Sequence, residues 1–379
     1  MLCKHFGTCG GCTMQDKNYD EQLKEKEALV LDLFKPLITS QTQIYPIKSC
    51  PHPWRYRNKM EFSFGELKDG SKNIGLYRKR GFVVNLEECL IVPLWFEDVL
   101  KKAHTWWQNN PRLRSYYPPK NKGSLRTLTL RDPRMVILTV SGEEDYKLTE
   151  EEIISFKEAM PDNCSVIFRV QILKKKTPTE FVERILKGAS FMEKELKVKD
   201  KTLKFSISAS AFFQPNSFQA ESIYQDALTL AGIDNSMSVF DLYSGTGTLG
   251  MFASFFAKKV HSIELNKDSV MSARQNAEVN GIKNIDIHEG DVGKILQEID
   301  DIADVIMVDP PRCGLDDLAV KNILDKKPKV ILYISCNPET QAKNAAQFLS
   351  ANYQLTHLQS VDQFPHTPHI ENIAIFKLI

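Results

Sequence analysis

At 379 residues, with 49 Lys/Arg against 48 Asp/Glu and 42% hydrophobic residues, the chain is long enough for two or three domains and has the make-up of a folded, water-soluble protein. No apolar run is long enough to span a bilayer, and the first residues, Met1-Leu-Cys-Lys-His-Phe-Gly7, lack a signal-peptide core; this argues against a membrane role and for a cytoplasmic location. Eight cysteines in that setting point to metal ligation or catalysis in preference to a disulfide framework.

The chain opens on Cys3-Lys-His-Phe-Gly-Thr-Cys9-Gly-Gly-Cys12, a C-x5-C-x2-C run in which the glycine pair lets the backbone wrap closely around a metal centre. Cys89 is the fourth member of the group. All-sulfur ligation admits zinc or an iron-sulfur cluster, and spacing does not separate them, although two CxxC pairs would favour zinc and only one is present. Radical chemistry is not expected, because the run departs from C-x3-C-x2-C. The blander reading is four unrelated buried cysteines, which the clustering disfavours.

Asp20 to Phe34, with Leu23, Leu29, Leu31, Leu33 and Phe34 among alternating Glu and Lys, reads as one amphipathic helix broken near Pro36. From Cys50 the composition turns to strands, aromatics and arginines. Between Cys50 and Met135 there are 17 Lys/Arg against 8 Asp/Glu in a chain whose net charge is only +1, which suggests a polyanionic substrate. Trp54-Arg-Tyr-Arg-Asn-Lys59 and Tyr77-Arg-Lys-Arg80 interleave stacking surfaces with cations, as single-stranded nucleic acid requires. Lys174-Lys-Lys176 reads as a solvated face. A strand over Met135–Val140 and a helix over Thr149–Met160 predict an α+β module.

Near residue 205 the style changes, and Phe212-Phe-Gln214-Pro-Asn leads into a helix through Leu230. Ser238-Val-Phe-Asp-Leu-Tyr-Ser-Gly-Thr-Gly-Thr-Leu-Gly250 is then an apolar strand, a glycine turn around Gly245 and Gly247, and a helix beginning near Leu249. Glu264 ends a second strand 17 residues after Gly247, where a carboxylate can bond ribose hydroxyls. Four successive strands are expected to deliver Asp241, Glu264, Asp291 and Asp309 to one edge of a sheet. The turn is not the GxGxxG pyrophosphate fingerprint and has no basic residue nearby, so a nucleoside without phosphates fits better, and the pattern resembles class I S-adenosylmethionine-dependent methyltransferases.

Pro310-Pro-Arg-Cys-Gly314 follows Asp309. A buried strand, Val330 to Ser335, ends in Cys336-Asn-Pro, and Phe364-Pro-His-Thr-Pro-His-Ile-Glu371 stands near the C-terminus. A cysteine at the carboxyl end of a parallel strand sits where open α/β sheets place their ligands. Together with C-x5-GGC, Phe-Phe-Gln-Pro-Asn, Asp-Leu-Tyr-x-Gly-x-Gly and Asp-Pro-Pro-Arg, these stretches resemble the RNA uridine-C5 methyltransferase family over almost the whole chain.

The resemblance implies an α/β protein: a Rossmann-like methyltransferase domain, residues 15–46 and 211–379, and an α+β iron-sulfur and RNA-binding domain, residues 1–14 and 47–210. It implies a 4Fe-4S cluster on Cys3, Cys9, Cys12 and Cys89, and S-adenosylmethionine held by Gln214, Tyr243, Gly245, Glu264, Asp291 and Asp309. Cys336 is implied as nucleophile and Glu371 as base. Cys313 is the rival nucleophile, since cytosine-C5 enzymes carry a cysteine after a proline pair, but Arg312 intervenes. Because Cys3 is almost the first residue, the small oligonucleotide-binding barrel that several members carry ahead of the cluster is expected to be absent, which points to 23S ribosomal RNA as partner, with transfer RNA the alternative. The protein is expected to act as a monomer. The other readings are a cytosine-C5 enzyme and a non-catalytic iron-sulfur RNA-binding protein.

Overall fold

A computed structural model describes residues 1–78, 81–173, 177 and 179–379. Lys79, Arg80 and the Lys174-Lys-Lys176 run lie outside the described residues. The chain forms two compact units, one of Met1–Asp16 with His52–Met192 and the other of Lys17–Pro51 with Glu193–Ile379. Among the described residues no helix is long and apolar enough to cross a membrane.

The first unit is built on a seven-stranded sheet whose strands follow the order Val83–Asn85, Lys72–Tyr77, Lys59–Glu66, Leu125–Arg131, Met135–Ser141, Ser165–Ile172, Glu180–Lys187. Met135–Ser141 is buried along its whole length, as an apolar central strand should be. The helices Leu94–Gln108 and Glu150–Ala159 pack through Trp106 on Phe156, rings 4.9 Å apart, and Trp107 meets Phe64 edge-on at 5.1 Å. Thr149 starts the second helix through a capping box with Glu152.

The second unit carries an eight-stranded sheet, here labelled β1 (Gln43–Lys48), β2 (Ser238–Leu242), β3 (Lys259–Glu264), β4 (Ile285–Glu289), β5 (Val305–Val308), β6 (Val330–Ser335), β7 (Tyr353–Val361) and β8 (Glu371–Leu378). Their spatial order is β1-β7-β8-β6-β5-β2-β3-β4. Strands β2 to β6 run parallel, and β8 is inserted antiparallel between β6 and β7. The chain winds outward from β2 through β3 to β4, then returns to the other side of β2 with β5. That reversal makes the carboxyl ends of β2 and β5 the crevice where a doubly wound sheet takes its ligand.

Three boundaries differ from the expected ones, and residues 15–16 belong with the first unit. Residues 47–51 and 193–210 belong with the second unit. Strand β1 pairs in parallel with β7, and the hairpin Phe191–Val198/Lys201–Ser208 is tied to the helix Lys267–Val279, where Asn276 Oδ1 accepts from Ser206 N at 2.7 Å and Asn280 Oδ1 from Lys204 N at 2.8 Å. The first helix, Tyr19–Phe34, also lies in this unit, and its inward face is not the leucine face. Gln22, Lys26, Val30 and Phe34, spaced four apart, form the buried stripe, while Leu29 is 50% exposed.

Candidate active site and cysteine centre

Strand β2 ends in a turn where Tyr243, Gly245 and Gly247 all have positive φ, 61°, 55° and 77°. Tyr243 is the costly member, since a bulky residue rarely adopts that conformation, and Glu264 supports the bend it sits in. The Glu264 carboxylate accepts from Gly245 N at 2.9 Å and from Asn266 N at 2.7 Å. Each oxygen keeps lone-pair capacity for a hydroxyl donor. A Cβ added at Gly245 would meet nothing within 4 Å, so open space lies over the turn.

Unlike Glu264 and Asp291, Asp241 is buried, and its neighbours Asp309 and Glu264 add their charges to the rise that burial gives its carboxyl. It is buried under the helix Thr248–Ala253, where Ser262 Oγ donates to it at 3.4 Å. A Cβ at Gly250 would press against Ser262 Oγ and come within 2.8 Å of Asp241 Oδ2, so this position has to be glycine. Burial pushes the Asp241 carboxyl up to about 8, and it supports the turn from below. Asp291 is exposed and caps the helix Val292–Glu298 by accepting from Lys294 N at 3.1 Å. Gln214 Nε2 stands 3.5 Å from Asp309 Oδ2, and Gln214 Oε1 accepts from Gln363 Nε2 at 3.2 Å. Gln214 and Asp309 are thus together, with Asp309 one residue past the end of β5.

Cys336 and Glu371 meet through sheet register. Ser335 on β6 is the partner of Asn372 on β8, so the next residue of one strand and the preceding residue of the other are brought side by side. Asn337 fixes the loop: its Nδ2 donates to Arg312 O at 2.9 Å, and its Oδ1 caps the helix Pro338–Ser350. Arg312 Nη2 lies 2.8 Å from His369 Nδ1, which joins the Asp-Pro-Pro-Arg loop to the segment before Glu371. Cys313 is exposed and Cys336 half-buried.

The electrostatics are those of acidic groups crowded out of water. Burial pushes the Cys336 thiol up to about 11, with Glu371 and Asp309 adding to the rise and Arg312 opposing it. Glu371 is held well above the ordinary carboxylate range by burial and then by Asp309, again against Arg312. Its Oε2 is buried without a hydrogen-bond partner, the kind of atom that a native site leaves unsatisfied for a ligand or a reaction. In the free protein, alkylation of Cys336 by iodoacetamide should therefore speed up about tenfold per pH unit from neutral pH toward 11. Peptide mass spectrometry reads this, and a rate already level at pH 8 would contradict it.

A supporting network escaped the sequence reading. Lys26 Nζ donates to Asp362 Oδ1 at 2.6 Å and to Phe364 O at 3.1 Å, with both charged side chains almost fully buried. Tyr19 Oη donates to Asp362 Oδ2 at 2.8 Å, and Gln22 Oε1 accepts from His366 N at 3.0 Å. The first helix is thus a clamp on residues 362–366, which lead to Glu371. The available signal was the four-residue spacing of Gln22 and Lys26 with Val30 and Phe34.

In the first unit, Cys3, Cys9, Cys12 and Cys89 line one cavity. Gly10 N donates to Tyr77 O at 3.1 Å, holding the loop against the strand Lys72–Tyr77, and a Cβ at Gly11 would come within 2.9 Å of Leu76 Cδ1. Gly11 N approaches Cys9 Sγ at 3.3 Å and His5 N approaches Cys3 Sγ at 3.5 Å, so backbone N–H groups already face the sulfurs. Burial raises all four thiols, Cys12 to about 11 and Cys89 to about 12.

The expected aromatic and basic surface is only partly present. Tyr56 is buried, and Arg55 is consumed by Cys89 O, Val92 O and Glu97 Oε1 at 2.7, 2.9 and 2.7 Å. Arg112 pairs with Glu152, Arg114 with Glu66, and Arg126 stacks on Tyr116. Tyr77, Arg78, Tyr117, Lys120 and Lys122 are exposed.

A profile of the tRNA (uracil-5-)-methyltransferase family matches residues 18–377. The chain is 43% identical over 402 residues to an uncharacterized RNA methyltransferase of Protochlamydia amoebophila, covering 100% of this chain and 90% of that protein. It is 33% identical over 383 residues to one from Caldanaerobacter subterraneus, covering 99% and 84%. Its fold is similar to that of the Pyrococcus abyssi tRNA (uracil-54, C5)-methyltransferase, solved with S-adenosyl-L-homocysteine, with a TM-score of 0.73 at 24% identity over 99% of this chain and 88% of that one.

Proposed function

Because this chain belongs to the tRNA (uracil-5-)-methyltransferase family, we propose that it methylates C5 of a uridine in RNA through a covalent adduct on Cys336, with Glu371 as the base. The observation that carries the reading is the juxtaposition of the Cys336 thiol and the Glu371 carboxyl, whose buried Oε2 has no partner.

Uracil C5 is too weak a nucleophile to take a methyl group unaided. The Cys336 thiolate forms a bond to C6, and the C5–C6 electron pair moves toward C5 and the C4 carbonyl, which makes C5 reactive. S-adenosylmethionine, when bound, supplies the methyl group and a positive charge that offsets the repulsion among Cys336, Asp309 and Glu371. Glu371 then takes the C5 proton, the C5–C6 double bond re-forms, and the bond from sulfur to C6 breaks. Glu264 and Asp291 are the candidates for ribose hydroxyls, Gly245 leaves room over the turn, and Tyr243, Gln214 and Asp309 complete the assigned contacts.

The cysteine centre is assigned to a 4Fe-4S cluster on Cys3, Cys9, Cys12 and Cys89. A tetrahedral zinc site would draw on the same four sulfurs; the presence of one CxxC pair where zinc would favour two supports the cluster. Such a centre would cross-link the N-terminal loop to Cys89. Cys89→Ser is expected to lower solubility or RNA affinity while leaving cofactor binding intact. Iron content, filter binding of RNA and calorimetry with S-adenosylmethionine check this, and intact RNA affinity with lost methyl transfer would contradict the structural role.

Tyr77, Arg78, Tyr117, Lys120 and Lys122 are proposed to contact RNA through stacking and charge. The target is assigned to 23S ribosomal RNA; transfer RNA is the second reading, favoured by the family's description and by the archaeal enzyme of similar fold. Incubating the protein and S-adenosylmethionine with separated, unmodified ribosomal and transfer RNA, then digesting to nucleosides, tests both. 5-Methyluridine in the ribosomal fraction is expected. Its appearance in transfer RNA alone would replace the target, and 5-methylcytidine would replace the chemistry.

A further inference from the structure

The edge of the second unit's sheet carries a side-chain cluster with no part in the reaction above. His261 on β3 is the register partner of Asp286 on β4, and His288 lies two residues further along β4. The three side chains therefore share one face of two parallel neighbours. They bring His261 Nδ1, His288 Nε2 and a carboxylate oxygen of Asp286 within 4.8 Å of one another, and among the described residues no other three potential ligand atoms are so close. We propose that this is a divalent transition-metal site of the zinc class, with two imidazole nitrogens and one carboxylate oxygen as ligands.

The tautomer of the buried ring supports the assignment. His261 Nε2 lies 2.7 Å from Asp301 Oδ2, and an ionised carboxylate only accepts, so Nε2 carries the proton and Nδ1 presents its lone pair toward His288 and Asp286. This is the outer-shell carboxylate that orients ligating histidines in metal sites. His261 Nδ1 is 3.2 Å from His288 Nε2 and 3.9 Å from Asp286 Oδ2. Without metal, His288 donates a proton across the first gap and Lys259 Nζ, 2.7 Å from Asp286 Oδ2, neutralises the carboxylate. Metal binding replaces both: the proton moves to the other nitrogen of His288, and Lys259, about a third exposed, turns to water. The Asp286 side chain is 49% exposed, which leaves the fourth position to solvent and opens the way in. The site would pin β4 to β3 just ahead of Glu264 and Asp291.

Cobalt(II) titration of the full chain separates this site from the cysteines, because thiolate ligation adds an intense near-ultraviolet charge-transfer band that nitrogen and oxygen ligands lack. One equivalent is expected to bind with ligand-field bands alone, and His288→Ala should abolish that signal. Asp286→Asn, a change on an exposed side chain, should do the same even if the histidine variant folds poorly. Asp301→Asn should weaken affinity about 10- to 100-fold. No such bands in the wild type, or bands that persist in Asp286→Asn and His288→Ala, would overturn the proposal.

Discussion

Cys336→Ala is expected to abolish the cofactor-dependent release of tritium from RNA labelled at uracil C5, whereas Glu371→Gln should stop the reaction one step later. In the glutamine variant the thiol still adds to C6, but no carboxylate is present to take the C5 proton. A protein–RNA complex should then survive denaturing electrophoresis, and tritium release should fall by about 10²- to 10⁴-fold, the usual worth of a positioned base. Burial and the Asp309 charge both raise the Glu371 carboxyl, which suits it to holding a proton taken from carbon. The same carboxylate raises the Cys336 thiol, and Glu371→Gln removes that contribution, so adduct formation should be no slower in the variant. Release from Glu371→Gln at the wild-type rate would remove Glu371 from the mechanism, and release from Cys336→Ala would remove the adduct.

The second large effect belongs to the clamp beneath the site. Lys26→Met leaves Asp362 buried with its Tyr19 hydrogen bond but without its cation. Breaking one partner of a buried pair costs about 3–5 kcal/mol, because the remaining charge is uncompensated. Denaturant midpoints of wild type and variant read that loss directly. Lys26→Met combined with Asp362→Leu should be less destabilised than Lys26→Met alone, since no stranded charge remains. Lys26 also donates to Phe364 O, so the path to Glu371 loosens, and turnover should fall even well below the unfolding temperature. A Lys26→Met protein with an unchanged midpoint would show that the pair is not what holds this loop.

Much of the molecule follows from local sequence pattern. Apolar strands ending in Glu264 and Asp309, the glycine turn, and the helix capped at Thr149 declare themselves because period, capping residue and turn residue all act within a few positions of one another. Cys336 stands at a strand terminus, which is a local signal, although its role is what the family resemblance implies, and the spacing of Cys3, Cys9 and Cys12 is local too. What the sequence by itself determined is therefore the order of elements and the residue types at their ends. Only the tertiary structure decided which ends meet. Asp241 looks like its fellow carboxylates but is buried under Gly250, while Arg55 and Tyr56 look like a nucleic-acid surface but face inward. Lys26, one of the lysines of an amphipathic helix, finds Asp362 across 336 residues of chain, and β8 brings Glu371 beside Cys336 by antiparallel register. These partnerships rest on burial and long-range pairing, and a buried charge is tolerated only where the fold supplies its partner.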